Sequence, residues 1–266
     1  MGYLFQRNIL ALSFSIMSEN SKTISRPKKY FFGKAFFTLF LFSKKKTCAK
    51  RKNISFGKAF LSKKRFMIAI IDYGMGNLFS IYNGLKKVYD RSMLITADNI
   101  TDMRAAEGVI VPGVGAFDDG IRNLEPFSEA LIEVVESGMP VLGICIGMQV
   151  LFEASEEGKE KGWGLIPGEV VRLPANVRVP HMGWNNLHLQ RDSELLNGIT
   201  EADYFYFVHS YYCVPRDEDA TVASVEYGVE LAAVVNKDNV YGVQFHPEKS
   251  SKKGLQVLSN FVGVCK

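Results

Sequence analysis

From Met67 onward the chain alternates short unbroken apolar runs with longer stretches whose apolar residues recur every three or four positions. Short apolar runs bounded by Gly, Pro, Asn or Asp read as strands, and the longer periodic stretches read as helices. On that basis residues 68–72 form a strand, Gly74-Met-Gly-Asn77 a turn, and 78–89 a helix. Strands follow at 93–96 and 109–111, a helix over 118–137, a strand at Val141–Ile144, and a helix over 148–154. Continuous apolar strands alternating with helices predict a parallel sheet covered on both faces. The second half changes character. Residues 170–173, 204–212, 221–225, 231–236 and 240–245 are strand-like with short polar connections, and 251–262 closes the chain as a helix. The expectation is a single α/β domain over 67–266: a mostly parallel central sheet flanked by helices, with added antiparallel strands.

Charge divides the chain in two. Residues 1–66 hold sixteen Lys or Arg and a single acid, Glu19, a balance of +15. That leaves 16 basic and 27 acidic side chains, or −11, in the remainder. The formal net charge of +4 describes neither part. The leader repeats Phe-Gly-Lys-Ala-Phe at Phe32 and Phe56, each copy followed by a basic cluster. Three readings stand: a targeting peptide, an arm for nucleic acid or anionic lipid, or upstream sequence translated from a misplaced start. The third is favoured, because Met67-Ile-Ala-Ile-Ile-Asp72 opens a core strand cleanly, and most of 1–66 is expected to be poorly ordered. The acidic remainder gives nucleic-acid binding no support. No apolar run approaches the ~20 residues of a membrane span. The cysteines, Cys48, Cys145, Cys213 and Cys265, have no CxxC spacing, which argues against a metal site and for a reducing cytoplasm.

The chemistry concentrates in two segments. Gly143-Ile-Cys-Ile-Gly147 follows an apolar strand and has the Gly-x-nucleophile-x-Gly form, in which glycines permit a sharp strand-to-helix turn that exposes the side chain. The following helix N-terminus favours a thiolate, and the Ile146 N–H is a candidate oxyanion donor. Alone, Cys145 reads equally well as a buried structural cysteine. His246-Pro-Glu248 follows another strand about a hundred residues on. His246 fits a general base and then acid, Glu248 its orienting partner, and Pro247 fixes the backbone between them. Pro112-Gly-Val-Gly115 has the freedom to present a flipped N–H to an oxyanion, although spacing alone favours an ordinary turn.

Taken with Asp72-Tyr-Gly-Met-Gly-Asn77, Gly143-Ile-Cys-Ile-Gly-Met-Gln149, Pro180-His-Met-Gly-Trp-Asn185, Tyr206-Phe-Val-His-Ser-Tyr211 and Gly242-Val-Gln-Phe-His-Pro-Glu-Lys-Ser250, these motifs resemble the class I (triad) glutamine amidotransferases over essentially all of 67–261. The Pro-His-Met-Gly-Trp, Phe-Val-His-Ser-Tyr and Pro-Gly-Val-Gly segments resemble the branch that serves histidine biosynthesis. One departure is small: Ile146 stands where the family has leucine. The resemblance implies that Cys145 attacks the side-chain amide of L-glutamine, releasing ammonia, and that water activated by His246 then frees glutamate. It implies Gly113 and Val114 as the oxyanion strand, with Gln149, His209, Ser210 and Tyr211 as substrate-binding positions. It implies a (βα)8-barrel cyclase as partner in a heterodimer, with Asn77, Trp184 and Lys249 near the interface. There ammonia would convert a phosphoribulosyl-formimino carboxamide nucleotide to imidazole glycerol phosphate and an aminoimidazole carboxamide ribotide. No cofactor is implied, and the leader lies outside the family pattern.

Plainer readings accompany several of these residues. Trp184 also fits a core position, Lys249 a solvated charge, and Asp72 a cap or interface contact. The rings of His181 and His209 are expected to be structural, and Cys213 and Cys265 inert. Two further functions compete: a paralogue feeding ammonia to another synthase, such as a sugar amidotransferase, and a stand-alone cysteine hydrolase.

Overall fold

Eight strands build the central sheet in the order β2-β1-β3-β4-β13-β12-β11-β8 in a computed structural model that describes residues 66–266. The expectations for the leader, Cys48 included, lie outside the described residues. Strands β1 (Ile68–Ile71), β2 (Ser92–Ile95), β3 (Gly108–Val111) and β4 (Val141–Ile144) run parallel, and β13 (Val240–Val243) joins β4 in parallel. Antiparallel strands β12 (Glu230–Lys237), β11 (Thr221–Glu226) and β8 (His188–Leu189) extend that edge. The mostly parallel sheet with antiparallel additions is therefore present.

Side-chain alternation sends successive strand residues into two cores. Ile68, Ile70, Ile110, Leu142 and Ile144 face one side, where helix α1 (Leu78–Val88) contributes Ile81 and Leu85, and helix α5 (Ser251–Val264) contributes Val257, Leu258 and Phe261. Ala69, Ile71, Val109, Val111 and Val141 face the other, against helices α2 (Phe117–Leu124) and α3 (Ser128–Glu136). Both faces are covered, which is why these strands carry no polar alternation. Truncating one such residue, for instance Phe261→Ala, costs about 3–5 kcal/mol.

The boundaries shift where local chemistry overrides periodicity. The helix expected over 118–137 is two helices, because Pro126 falls in the 3-10 turn Glu125–Phe127 and cannot donate to a continuous helical ladder. The helix expected over 148–154 is instead the short α4 (Ile146–Gln149), followed by strand β5 (Ala154–Ser155). The single strand expected over 204–212 is two. Strand β9 (Tyr204–His209) pairs with β7 (His181–Asn186), and after Ser210 strand β10 (Tyr211–Pro215) pairs with β6 (Gly168–Arg172). Strand β7 was not anticipated, since its apolar members Met182 and Trp184 face outward.

Candidate active site

Parallel pairing of β4 with β13 aligns Ile144 with Val243, so Cys145 and Gln244 leave the sheet side by side. The Cys145 N–H donates to the Val243 carbonyl at 2.8 Å, continuing the ladder one residue further. Cys145 then turns sharply, at φ 55° and ψ −110°, into α4. Positive φ at a residue with a Cβ is strained and persists only where the surroundings enforce it. Enforcement here comes from two close approaches: a Cβ at Gly143 would collide with the Gly147 carbonyl, and a Cβ at Gly147 with the Val111 carbonyl.

His246 arrives from the β13 side, its N–H donating to the Tyr206 carbonyl at 2.9 Å. Pro247 begins a 3-10 turn over Pro247–Lys249 that folds Glu248 back, and the Nδ1 of His246 lies 2.9 Å from Glu248 Oε1. Both side chains are buried. Nε2 of His246 has no complete hydrogen bond, yet Cys145 lies near enough to act on the ring. Burial works to lower the His246 pKa, but hydrogen bonding and charge from Cys145 and Glu248 outweigh it and raise the value to about 9. The structure thus brings together all three residues expected to carry the chemistry. Helix α1 backs the turn through Gly84, where a Cβ would stand 3.4 Å from the Glu248 Cβ.

A chain of polar contacts runs from Cys145 through residues the sequence assigned to substrate. Gln149, 1% exposed, donates through Nε2 to the Tyr211 carbonyl and to Gln244 Oε1, each at 3.1 Å. Gln244 in turn donates through Nε2 to Cys145 Sγ at 3.6 Å. Gln149 Oε1 is buried without a partner. The Tyr211 carbonyl also faces His209 Nδ1 at 2.9 Å, and His209 Nε2 faces His181 Nδ1 at 3.0 Å. A carbonyl only accepts, so His209 carries its proton on Nδ1, and His181 donates from Nδ1 to the free Nε2. Burial lowers the His181 pKa to about 4; burial and the neighbouring His181 lower that of His209 to about 3. Both rings are neutral and structurally engaged, with His181 stacked 3.9 Å from Tyr227.

The Gly113–Gly115 segment packs directly on the elbow. A Cβ at Gly113 would lie 2.6 Å from the Gly147 nitrogen and 2.7 Å from the Ile146 Cβ. The Tyr73 hydroxyl donates to the Pro112 carbonyl at 2.6 Å and fixes the peptide that enters this segment. Burial, with the charge of Cys145, pushes the Tyr73 pKa up, so the phenol stays protonated.

Residues 69–264 match the family model described as glutamine amidotransferase class-I. The chain belongs to the class-I glutamine amidotransferases. It is 51% identical over 197 residues to the imidazole glycerol phosphate synthase subunit HisH of Moorella thermoacetica, covering 73% of this chain and 93% of that protein. It is 47% identical over 197 residues to the corresponding subunit of Methanocaldococcus jannaschii, covering 74% and 98%. Among solved structures, PurLQS from Thermotoga maritima superposes with a TM-score of 0.62 at 18% identity, covering 76% of this chain and 99% of that one. A structure titled glutamine amidotransferase gives 0.59 at 18% identity, covering 74% and 98%. These two likenesses concern the fold.

In this amidotransferase the three interface candidates gather beside Cys145, His246 and Glu248. Trp184 is 51% exposed, which removes the core reading, and stacks edge-on to Tyr206 with centroids 5.9 Å apart. Lys249 Nζ lies 5.9 Å from the same ring, and Asn77 Nδ2 stands 3.5 Å from Glu248 Oε1. Phe79, Met182 and Tyr204, 78%, 63% and 57% exposed, are further large apolar side chains on α1, β7 and β9. Cys213 is buried with its pKa pushed well up, and burial raises that of Cys265 to about 12, so both stay as thiols. Tyr73 and Gln244 escaped the sequence reading. For Gln244 the signal was there: a lone amide within an apolar strand run, two residues before His246 and hence on the same side of an extended chain. No group of three or more His, Cys, Asp or Glu able to hold a metal occurs among the described residues, nor any helix long and apolar enough to cross a membrane.

Proposed function

We propose that Cys145, His246 and Glu248 form a triad that hydrolyses glutamine, and that this chain is the glutaminase subunit of an imidazole glycerol phosphate synthase in histidine biosynthesis. The observation that carries the chemistry is the disposition of His246: Nδ1 is held by Glu248, while Nε2 forms no complete hydrogen bond and the strained Cys145 is near enough to act on the ring. Relatives at 43–51% identity that match along nearly their whole length favour this subunit over a sugar-synthase paralogue or a stand-alone hydrolase.

The geometry supports the following steps. His246, whose pKa of about 9 keeps it protonated at neutral pH, holds the proton given up by the Cys145 thiol. The thiolate attacks the side-chain amide carbon of glutamine. The oxyanion is received by the Ile146 N–H, at a helix start where no intrahelical acceptor exists, and by an N–H of the Gly113–Val114 segment. His246 gives its proton to the nitrogen as the C–N bond breaks, releasing ammonia and leaving a glutamyl thioester. Water, deprotonated by His246, attacks that thioester. The C–S bond breaks, and glutamate leaves. Gln149 Oε1, buried and unpartnered, accepts from the α-ammonium group of glutamine, and the neighbouring His209-Ser210-Tyr211 backbone frames the site. Ammonia passes to a (βα)8-barrel cyclase docked over Asn77, Trp184 and Lys249.

The test is glutamate release by the full chain, alone and with a cyclase subunit and its nucleotide ligand. Stimulation by the partner that vanishes in Cys145→Ala is expected. High activity indifferent to the partner would point instead to the hydrolase, and activity surviving in Cys145→Ala would overturn the triad.

A further inference from the structure

We infer that Gln244 is a further catalytic residue, whose side-chain amide donates to the Cys145 sulfur and stabilises the thiolate while its carbonyl oxygen ties that donor to Gln149. The inference rests on Cys145 being the nucleophile and deepens that reading.

The orientation of the amide follows from one fixed atom. The Tyr211 carbonyl can only accept, so the Gln149 atom facing it at 3.1 Å is the NH2 group. The same NH2 group lies 3.1 Å from Gln244, so the Gln244 atom it meets is the oxygen. The other terminal atom of Gln244, 3.6 Å from Cys145 Sγ, is therefore the NH2 group. A flip of either amide would set donor against donor or acceptor against acceptor. A backbone carbonyl thus dictates, through two side chains, that a donor points at the nucleophile.

Position and burial agree with that role. Gln244 is wholly buried, and its N–H donates to the Ala233 carbonyl at 2.9 Å, which anchors its backbone to β12. Phe245, next along, belongs to the core with Phe205 and Phe207. Gln244 and His246 flank it and both reach Cys145, one as an amide donor and one as the base. A donor gains strength when its acceptor becomes charged, so the amide favours the thiolate over the thiol. Gln149, at the far end of the pair, ties the same donor to the residue assigned to the substrate's ammonium group.

Gln244→Met and Gln244→Leu remove the donor at similar volume without adding charge, and either one that folds suffices. Iodoacetamide labelling of the full chain, quantified on the peptide that carries Cys145, reports thiolate formation without turnover. The pH at half-maximal labelling is expected to rise by about one unit in these variants. It should rise further in Gln244→Glu, where a carboxylate oxygen replaces the donor. Glutamine hydrolysis with the partner subunit should lose kcat most at the acid end of its pH profile, the deficit closing as pH rises. A folded Met or Leu variant whose labelling midpoint matches the wild type overturns the inference, even where kcat has fallen. Failure of the underlying reading has a different signature: Cys145→Ala would then still release glutamate.

Discussion

Acidification should unfold this protein in a window set by two histidines. His181 and His209 are buried and bonded to each other, with pKa values near 4 and 3 against an ordinary value of 6.5. Protonating His209 at Nε2 would set an N–H against the His181 N–H, and protonating either ring places charge in an apolar setting. Because the folded values are depressed, unfolding takes up protons below pH 6.5. The stability contribution is complete above that value and is lost as pH falls towards 4 and 3. At pH 5 each histidine has given up about 2 kcal/mol relative to pH 7, or about 4 kcal/mol for the pair. His246 does not blur this window. Its raised pKa of about 9 gives a contribution complete below 6.5 and lost only as pH rises through 9. Glu157, raised chiefly by burial, works in the opposite sense towards the acid end and trims the loss slightly. Against a typical total of about 5–15 kcal/mol the expected loss is large. Urea unfolding followed by fluorescence should show it as a fall in midpoint of about 2 M for a slope near 2 kcal/mol/M. In His181→Phe, which keeps a ring against Tyr227, the pH-dependent loss should roughly halve. A stability that stays level between pH 7 and 5 would refute the neutral-pair assignment and the tautomers drawn from it.

Glu248→Gln keeps the shape of the turn but removes the charge that orients and stabilises His246, so kcat should fall by about 10²–10⁴-fold with little change in KM; an effect confined to KM would contradict the role. Gly147→Ala forces a methyl group against the Val111 carbonyl, and both melting temperature and activity should drop, by about 1–3 kcal/mol or more in stability. Tyr73→Phe removes the single bond to Pro112 and leaves a buried carbonyl unpaired, at a cost of about 1–3 kcal/mol; kcat should change while KM holds. Trp184→Ala should leave stability within about 0.5 kcal/mol, since the side chain is half exposed, while lowering stimulation by the partner. A large fall in melting temperature would show that Trp184 serves the fold instead.

The parallel half of the sheet was legible because burial on both faces leaves no polar alternation to confuse the reading. Ile68–Ile71, Gly108–Val111 and Val141–Ile144 all fall within a residue of their expected places. The antiparallel half was harder. Strand β7, His181–Asn186, reads poorly as a strand because its outward positions carry the apolar Met182 and Trp184, which reverses the usual pattern of a half-buried strand. The break at Ser210 was invisible for a related cause: composition on either side is equally strand-like, and only the change of partner from β7 to β6 divides it. Pro126 was the opposite case, a local signal that helical periodicity on both sides drowned out.

The site divides along the same line. Cys145, His246 and Glu248 could be named from local motifs because each sits within a few residues of a turn. Gln149, Gln244 and Tyr73 matter through bonds spanning 62, 99 and 39 residues, to Tyr211, Cys145 and Pro112 respectively. No short window contains both partners of such a bond. What makes the Gln244 bonds possible is the crossover that sets β13 beside β4, for it aligns Val243 with Ile144 and so brings Gln244 abreast of Cys145. A one-residue slip in that pairing would exchange Gln244 for Phe245 at the sulfur and turn His246 away from it, since side chains alternate faces along the strand. The proposed catalytic assembly is in this sense a property of register. A substitution that disturbs the β4–β13 pairing, even one distant from Cys145, should therefore cost activity before it costs the fold.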